Sequence, residues 1–214
     1  MSKPVNARRA YSMSLRQKQA RETRRRIADA ARELYLARGY QLVTMADIAA
    51  KAGVAYQTVY AAFGNKLRLT QEIIWTTFEV AGVNDVIAEM ILSHDPEDWL
   101  RSAARVSRLV GDRLAGLLRF LQESGDPELL TEYRKVQARR REQELELASR
   151  LTASGRLRAS LGPDRTRDIL WALTGTQLYG QLVLDQGWLP DDYEAWFADL
   201  LITQILDVER PDRG

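Results

Sequence analysis

Side chains able to do acid–base or covalent chemistry are few in this sequence, and their spacing does not bring them together. The only histidine is His94, flanked by Ser93 and Asp95, and there is no cysteine. Three consecutive residues cannot adopt the relayed geometry of nucleophile, base and orienting acid. Asp95 also precedes Pro96, where its carboxylate serves as a helix N-cap. No GxxxxGK, GxSxG or HExxH pattern occurs, so phosphate cradles, nucleophile elbows and zincin sites have no support. The expectation is a protein that is not an enzyme, with no cofactor and no metal.

The chemistry that remains is cationic, and it is concentrated at one end. The 214 residues carry 31 Lys or Arg against 29 Asp or Glu, a net charge of +2. Residues 1–70 hold 14 basic against 4 acidic side chains, whereas residues 71–214 hold 17 against 25. Such opposite-sign blocks speak about partners, and a basic end is made for polyanions. Arg139, Arg140 and Arg141 could form a second nucleic-acid patch, but Glu142, Glu144 and Glu146 follow directly. That run reads as a solvated, salt-bridged helix face.

Within the basic end, the stretch Thr44 to Phe63 packs two short helical signals around one glycine. Thr44 is an N-cap, and Asp47 three residues on is an acidic variant of the capping box. A helix therefore begins at Met45, with Ile48 and Ala49 inward. Gly53 supplies the left-handed turn, and Val59 and Phe63, four apart, form the inner face of a second helix. This is a helix-turn-helix. Its second helix leaves Tyr56, Gln57, Thr58, Tyr60 and Ala61 on its sides and outer face, where such units meet the major groove or its phosphate walls.

At these residues the chain resembles the TetR family of transcriptional regulators. The resemblance runs from Arg24 to Leu69 and rests on Thr44, Ile48-Ala49, Gly53-Val54, Thr58, Tyr60, Phe63 and Lys66 in the family's spacing. Two departures stand: Ala55 where the family usually has Ser, and Ala62 where it usually has His. Ala55 removes a side-chain cap, a loss of about 0.5–2 kcal/mol relative to Ser. The expected phosphate contacts are Lys66, Tyr60 and Thr44, the expected base-edge contacts are Gln57, Tyr56 and Thr58, and Arg24 completes the DNA-binding set.

The supporting elements follow in order. A flexible basic arm is expected over residues 1–15, then an amphipathic helix from Leu15 to Arg38 with Ile27, Ala31, Leu34 and Tyr35 as its core stripe, stopped by Gly39. Gly64 closes the second helix of the motif, Asn65 caps a fourth helix at Lys66, and the helix-turn-helix domain spans 16–65. The resemblance implies that residues 66–214 form a helical effector-binding and dimerisation domain, with helices expected near 71–92, 96–123, 127–153, 163–186 and 190–207. Asp95-Pro96 and Asp126-Pro127 mark two of their starts. No segment has the alternation of a strand, so the fold class is all-α.

Hydrophobic residues make up 45% of the chain, sufficient for a sizeable core. The absence of cysteine gives no sign of an oxidising compartment, and the N-terminus has arginines without an apolar h-region, so the cytoplasm is the expected location. Ile169 to Leu184 is uncharged throughout but too short to span a bilayer, so no membrane contact is expected.

The last two helices are apolar on more sides than one core requires. Leu173, Thr176, Gly180, Leu184, Trp196 and Leu200 are the expected homodimer surface, Gly180 being justified by close helix crossing. In the TetR family, helices at this position build the dimer and the middle helices enclose an effector pocket. Its expected lining here is Trp75, Phe78, Leu117, Phe120, Tyr133, Gln137, Trp171 and Gln177.

The resemblance and the residues together imply a ligand-responsive transcriptional regulator. It would be a repressor that binds a palindromic double-stranded DNA operator as a homodimer and is released by a small hydrophobic effector. The competing class is an architectural DNA-binding or helical scaffold protein without an effector. A helix running from Lys66 past Trp75 and Phe78 would be the rod through which the effector acts on the reader.

Overall fold

A computed structural model of the chain describes the backbone of residues 5–80 and 82–207 and the side chains of residues 16–76 and 82–207. All of its regular elements are helices, in the order α1 (Val5–Arg38), α2 (Met45–Ala52), α3 (Tyr56–Phe63), α4 (Lys66–Val80), α5 (Val83–Leu92), α6 (Pro96–Glu123), α7 (Pro127–Ala153), α8 (Pro163–Leu173), α9 (Thr176–Tyr179), a π-helical stretch Gly180–Asp185 and α10 (Pro190–Ile205). The chain divides into two compact units, residues 1–74 and 75–214, so the boundary falls inside α4 rather than at 65/66.

In the first unit, α1 begins at Val5, ten residues before the expected Leu15, and covers most of the segment assigned to a flexible arm. Ala7, Arg8, Arg9, Ala10, Met13 and Leu15 are good helix formers, which lets the helix extend without an amphipathic period. Residues 1–4 lie outside the described residues. The core stripe is as read from the sequence: Ile27, Ala31, Leu34 and Tyr35 are buried, joined by Tyr40, Val43, Ile48, Val59, Phe63, Leu69, Ile73 and Ile74. Burial of the last three explains why the first turns of α4 belong to this unit.

The second unit is organised on α6, which packs against α5, α7, α9 and α10, while α8 packs on α7. Asp95 and Asp126 cap α6 and α7, their carboxylates accepting the Glu97 N–H and the Glu128 N–H at 2.9 Å, each with proline at the first helical turn. The core joins Trp99, Leu100, Leu147, Leu151 and Leu170 to Tyr179, Tyr193, Phe197, Leu201 and Ile205. Gly111 packs closely under Tyr179, where a Cβ on the glycine would lie 2.3 Å from the ring.

Two helices expected to be continuous are broken. The 71–92 helix is interrupted at Gly82, whose φ of 73° only glycine adopts without strain. The 163–186 helix stops at Leu173, because Gly175 is extended, and the chain restarts as the single turn α9 followed by the π-helical stretch. Arg140 stabilises this stop by donating to the Trp171 carbonyl at 2.6 Å, a cation at a helix C-terminus. Past the expected bundle, Leu157 and Leu206 form an antiparallel bridge that ties the loop after α7 to the end of α10.

Candidate nucleic-acid interface and apolar cavity

The helix-turn-helix is built as its residues require. The Thr44 hydroxyl accepts the Asp47 N–H at 3.1 Å and the Asp47 carboxylate accepts the Thr44 N–H at 2.8 Å, completing the capping box. The Thr44 hydroxyl, and after it the Thr44 backbone, hold the Asp47 carboxyl below its ordinary range. Gly53 has φ 64° and donates to the Ala49 and Ala50 carbonyls. Ala55 makes no side-chain cap, and the Thr58 N–H bonds its carbonyl at 2.9 Å instead.

With Val59 and Phe63 buried, the outer face of α3 is free of the unit's own core. Tyr56 and Tyr60 are about half exposed with ring centroids 5.0 Å apart, Gln57 and Ala61 are exposed, and Thr58 is half-buried. A donor-and-acceptor amide beside two phenols suits a groove of mixed base edges and phosphates.

The two cations expected at DNA are both engaged within the unit. Lys66 Nζ donates to the carbonyls of Tyr40 and Val43 at 2.8 Å each and lies 4.0 Å from the centroid of the Tyr40 ring. Arg24 forms a bidentate pair with Glu72 at 2.6 and 2.9 Å, donates to the Ala62 carbonyl and stacks on Phe63. These contacts fix α1, the 40–43 turn, α3 and α4 to one another, so both side chains position the reader.

In the second unit a cavity of about 240 Å³ opens between α4, α5, α6, α7 and the α8–α9 break. Its walls include Ile87, Met90, Val106, Val110, Leu118 and Val136, with polar groups from Gln137, Arg140, Glu144 and Thr174. Of the expected lining, Trp75 and Gln137 are present. Tyr133 and Gln177 instead hydrogen-bond each other at 3.0 Å beside a second, more polar pocket of about 310 Å³ with Arg119 and Asp185. Leu117 is in the core, Phe120 lines neither space, and the Phe78 side chain lies outside the described residues. Trp171 is exposed and lies outside the cavity, its ring facing the guanidiniums of Arg140 and Arg141 at 5.1 and 5.7 Å. Polarity and aromaticity selected these residues, but aromatic rings in this unit serve mainly as core or cation platforms.

The Arg139–Glu146 run is a solvated face only in part: Arg139, Arg141, Glu142 and Glu146 are exposed, whereas Arg140 is half-buried and Glu144 turns inward. Glu144 is buried, its carboxylate accepting the Thr174 hydroxyl, and burial pushes its pKa up against the smaller opposing effects of Thr174 and Arg140. Burial likewise lowers the pKa of Arg140, whose donors go to Gln137, Trp171 and Thr174. The missed signal was periodicity, since Val136, Arg140, Glu144, Leu147 and Leu151 fall on one helical stripe.

Residues 27–73 match the family model for bacterial regulatory proteins of the tetR family. Over 56 residues the chain is 45% identical to the uncharacterized HTH-type transcriptional regulator TtgW of Pseudomonas putida, covering 26% of this chain and 42% of that one. Over 82 residues it is 37% identical to the HTH-type transcriptional regulator TtgR of the same species, covering 38% of each. The helix-turn-helix region of the chain, residues 27–73, is thus similar to that of tetR-family regulators. In both cases the chain spans less than half the length of the relative it matches.

Solved structures show the same fold across nearly the whole chain. NalD, the secondary repressor of the MexAB-OprM multidrug efflux pump in Pseudomonas aeruginosa, aligns over 92% of this chain and all of its own, at 21% identity and a TM-score of 0.65. The transcriptional regulator FadR from Bacillus subtilis, in complex with stearoyl-CoA, aligns over 84% of this chain and 98% of its own, at 20% identity and 0.67. The tetR-type arrangement of an N-terminal helix-turn-helix followed by a larger helical region is thus the architecture of this protein.

The expected homodimer residues fall into three groups on this fold. Leu184 and Trp196 are exposed, while Leu173, Thr176 and Leu200 are half-buried. Gly180 is buried within the protomer, yet a Cβ there would meet nothing within 4 Å, so helix crossing inside the protomer does not demand a glycine. Trp188 and Leu189, outside the expected set, are also exposed, and the Trp188 ring stands edge-on to Trp196 at 5.4 Å.

Proposed function

We propose that this protein is a ligand-responsive transcriptional repressor, reading a palindromic operator as a homodimer and released by a small, largely apolar effector. The observation that carries the reading is the outer face of α3, where Tyr56, Gln57 and Tyr60 stand exposed on a helix whose other side is locked by Val59 and Phe63. Gln57, Tyr56 and Thr58 read base edges, and Tyr60 and Thr44 reach phosphates. Arg24 and Lys66 brace the reader through the contacts described above.

The homodimer forms through the apolar surface of Leu184, Trp188, Leu189 and Trp196, a patch that a protomer in water does not favour. The effector occupies the cavity at Trp75, and α4, a single helix from Lys66 to Val80, carries its effect towards the reader. The test is to select duplexes from a random pool on the purified full chain. The reading expects one enriched two-fold palindrome with half-sites about 34–36 Å apart. Retention of duplexes without sequence preference would favour an architectural DNA binder.

A further inference from the structure

Two carboxylates are buried among the described residues, Glu132 and Glu144, and they differ in company. Lys135 Nζ lies 2.7 Å from the Glu132 carboxylate. Glu144 sits in the cavity wall with the Thr174 hydroxyl as its hydrogen-bond donor and with no ion pair among the described residues. A carboxylate can accept about four hydrogen bonds, and one out of water without a cation is costly.

The cations of the same wall are turned to other tasks. Arg140, one helical turn before Glu144, gives its donors to the Gln137 side chain, the Trp171 carbonyl and the Thr174 hydroxyl. Arg139 lies over the Trp75 ring at 5.2 Å. Arg150 lies over Trp99 at 4.4 Å and donates to the Met90 carbonyl at 3.3 Å. Ile87, Val106, Val110 and Leu118 supply an apolar stretch of wall that can neither donate nor accept, beside polar Asn84, Ser107, Gln143, Glu146 and Thr176. A negative acceptor facing apolar walls is a recognition pattern, and its complement is an apolar body with one cationic donor.

We propose that the cavity binds a small apolar molecule bearing a protonated amine, the ammonium donating to Glu144 and the hydrocarbon lying against Ile87, Val106, Val110 and Leu118. This rests on the cavity being the effector site and specifies the effector's chemistry there. An anionic ligand would face the Glu144 charge, and a neutral one would leave it only the Thr174 hydroxyl and the charge of Arg140 one turn away.

The test titrates the full-length protein at neutral pH with octylamine, 1-octanol and octanoate, which share one chain length and differ in charge, using calorimetry with tryptophan fluorescence as a second readout. Octylamine should bind about ten-fold or more tighter than 1-octanol, the effect of one hydrogen bond to a charged group. Octanoate should bind weakest. Glu144→Gln should bring octylamine to the level of 1-octanol while 1-octanol keeps its affinity, which shows an intact cavity. Octanoate binding as tightly as octylamine, an amine preference that survives Glu144→Gln, or no binding of any of the three would overturn the proposal. Duplex retention by the same wild-type preparation reports separately on the regulator reading. Amine preference without DNA retention would sink that reading and leave the chemistry of the cavity supported.

Discussion

Lys66 donates to the Tyr40 carbonyl at 2.8 Å while its ammonium lies 4.0 Å from the centroid of the same residue's ring. One side chain thus closes the turn between α1 and α2 from the first residue of α4, holding the reader from behind. Lys66→Met keeps the aliphatic stem and removes the donors. It should destabilise the protein by about 1–3 kcal/mol in urea unfolding, the range for hydrogen bonds involving a charged group. It should weaken all duplexes alike, because no base contact is changed. A loss of preference at one base position, with unaltered stability, would reverse this assignment.

Gln57 should behave in the opposite way. Its exposed amide on α3 offers both donor and acceptor to a base edge. Gln57→Ala should leave thermal unfolding unchanged and cost about 1–3 kcal/mol of discrimination at one symmetry-related pair of operator positions. Competition binding with single-base operator variants measures this directly.

The contact of Gly111 with Tyr179 makes the core of the second unit sensitive to a single methyl group. The Tyr179 ring is buried and its hydroxyl bonds Asp112, so it has no easy path away from a Cβ placed 2.3 Å from its Cγ. Gly111→Ala should therefore destabilise by about 1–3 kcal/mol, although alanine is the better helix former. Thermal unfolding that equals or exceeds wild type would show that α6 and α9 can separate freely.

Glu144 predicts a pH dependence with a definite sign. Burial raises its pKa, so above the ordinary carboxylate range the folded protein retains a proton that the unfolded chain has released. This contribution to stability is therefore present at low pH and declines as pH rises through the raised value. The stability difference between wild type and Glu144→Gln should move against the wild type over that window, measured by urea unfolding at a series of pH values. A difference independent of pH would place Glu144 in contact with water.

The apolar surface ending in Trp196 should set the assembly state. Leu184→Glu and Trp196→Asp each place a carboxylate on it and should convert a dimer into monomers in sedimentation velocity at micromolar concentration. A wild type that sediments as a monomer would remove the dimer from the proposed function.

Local chemistry made the first unit readable from its sequence. Thr44, Asp47, Gly53 and Asn65 act within three or four residues of themselves, and Val59 and Phe63 announce their face by spacing alone. Asp95 and Asp126 are equally local. What escaped depends on distant partners. Lys66 and Arg24 look like phosphate ligands until the 40–43 turn and Glu72 take up their donors. The break after Leu173 depends on Arg140, 31 residues away from the carbonyl it holds. Glu144 looks solvated beside Glu142 and Glu146, and only its stripe with Val136 and Leu147 marks it as inward. The cavity was the least legible part, because aliphatic residues line most of it and aliphatic residues also make every core.

The most direct test of the account measures octylamine affinity for the wild-type protein with and without a saturating amount of the selected palindromic duplex. Two sites on one switching molecule must oppose each other reciprocally, and coupling of about 1–3 kcal/mol corresponds to a change of roughly 5–150-fold. The account predicts that bound duplex weakens octylamine within this range, and that octylamine weakens duplex binding by the same factor. An octylamine affinity unchanged by the duplex would contradict it.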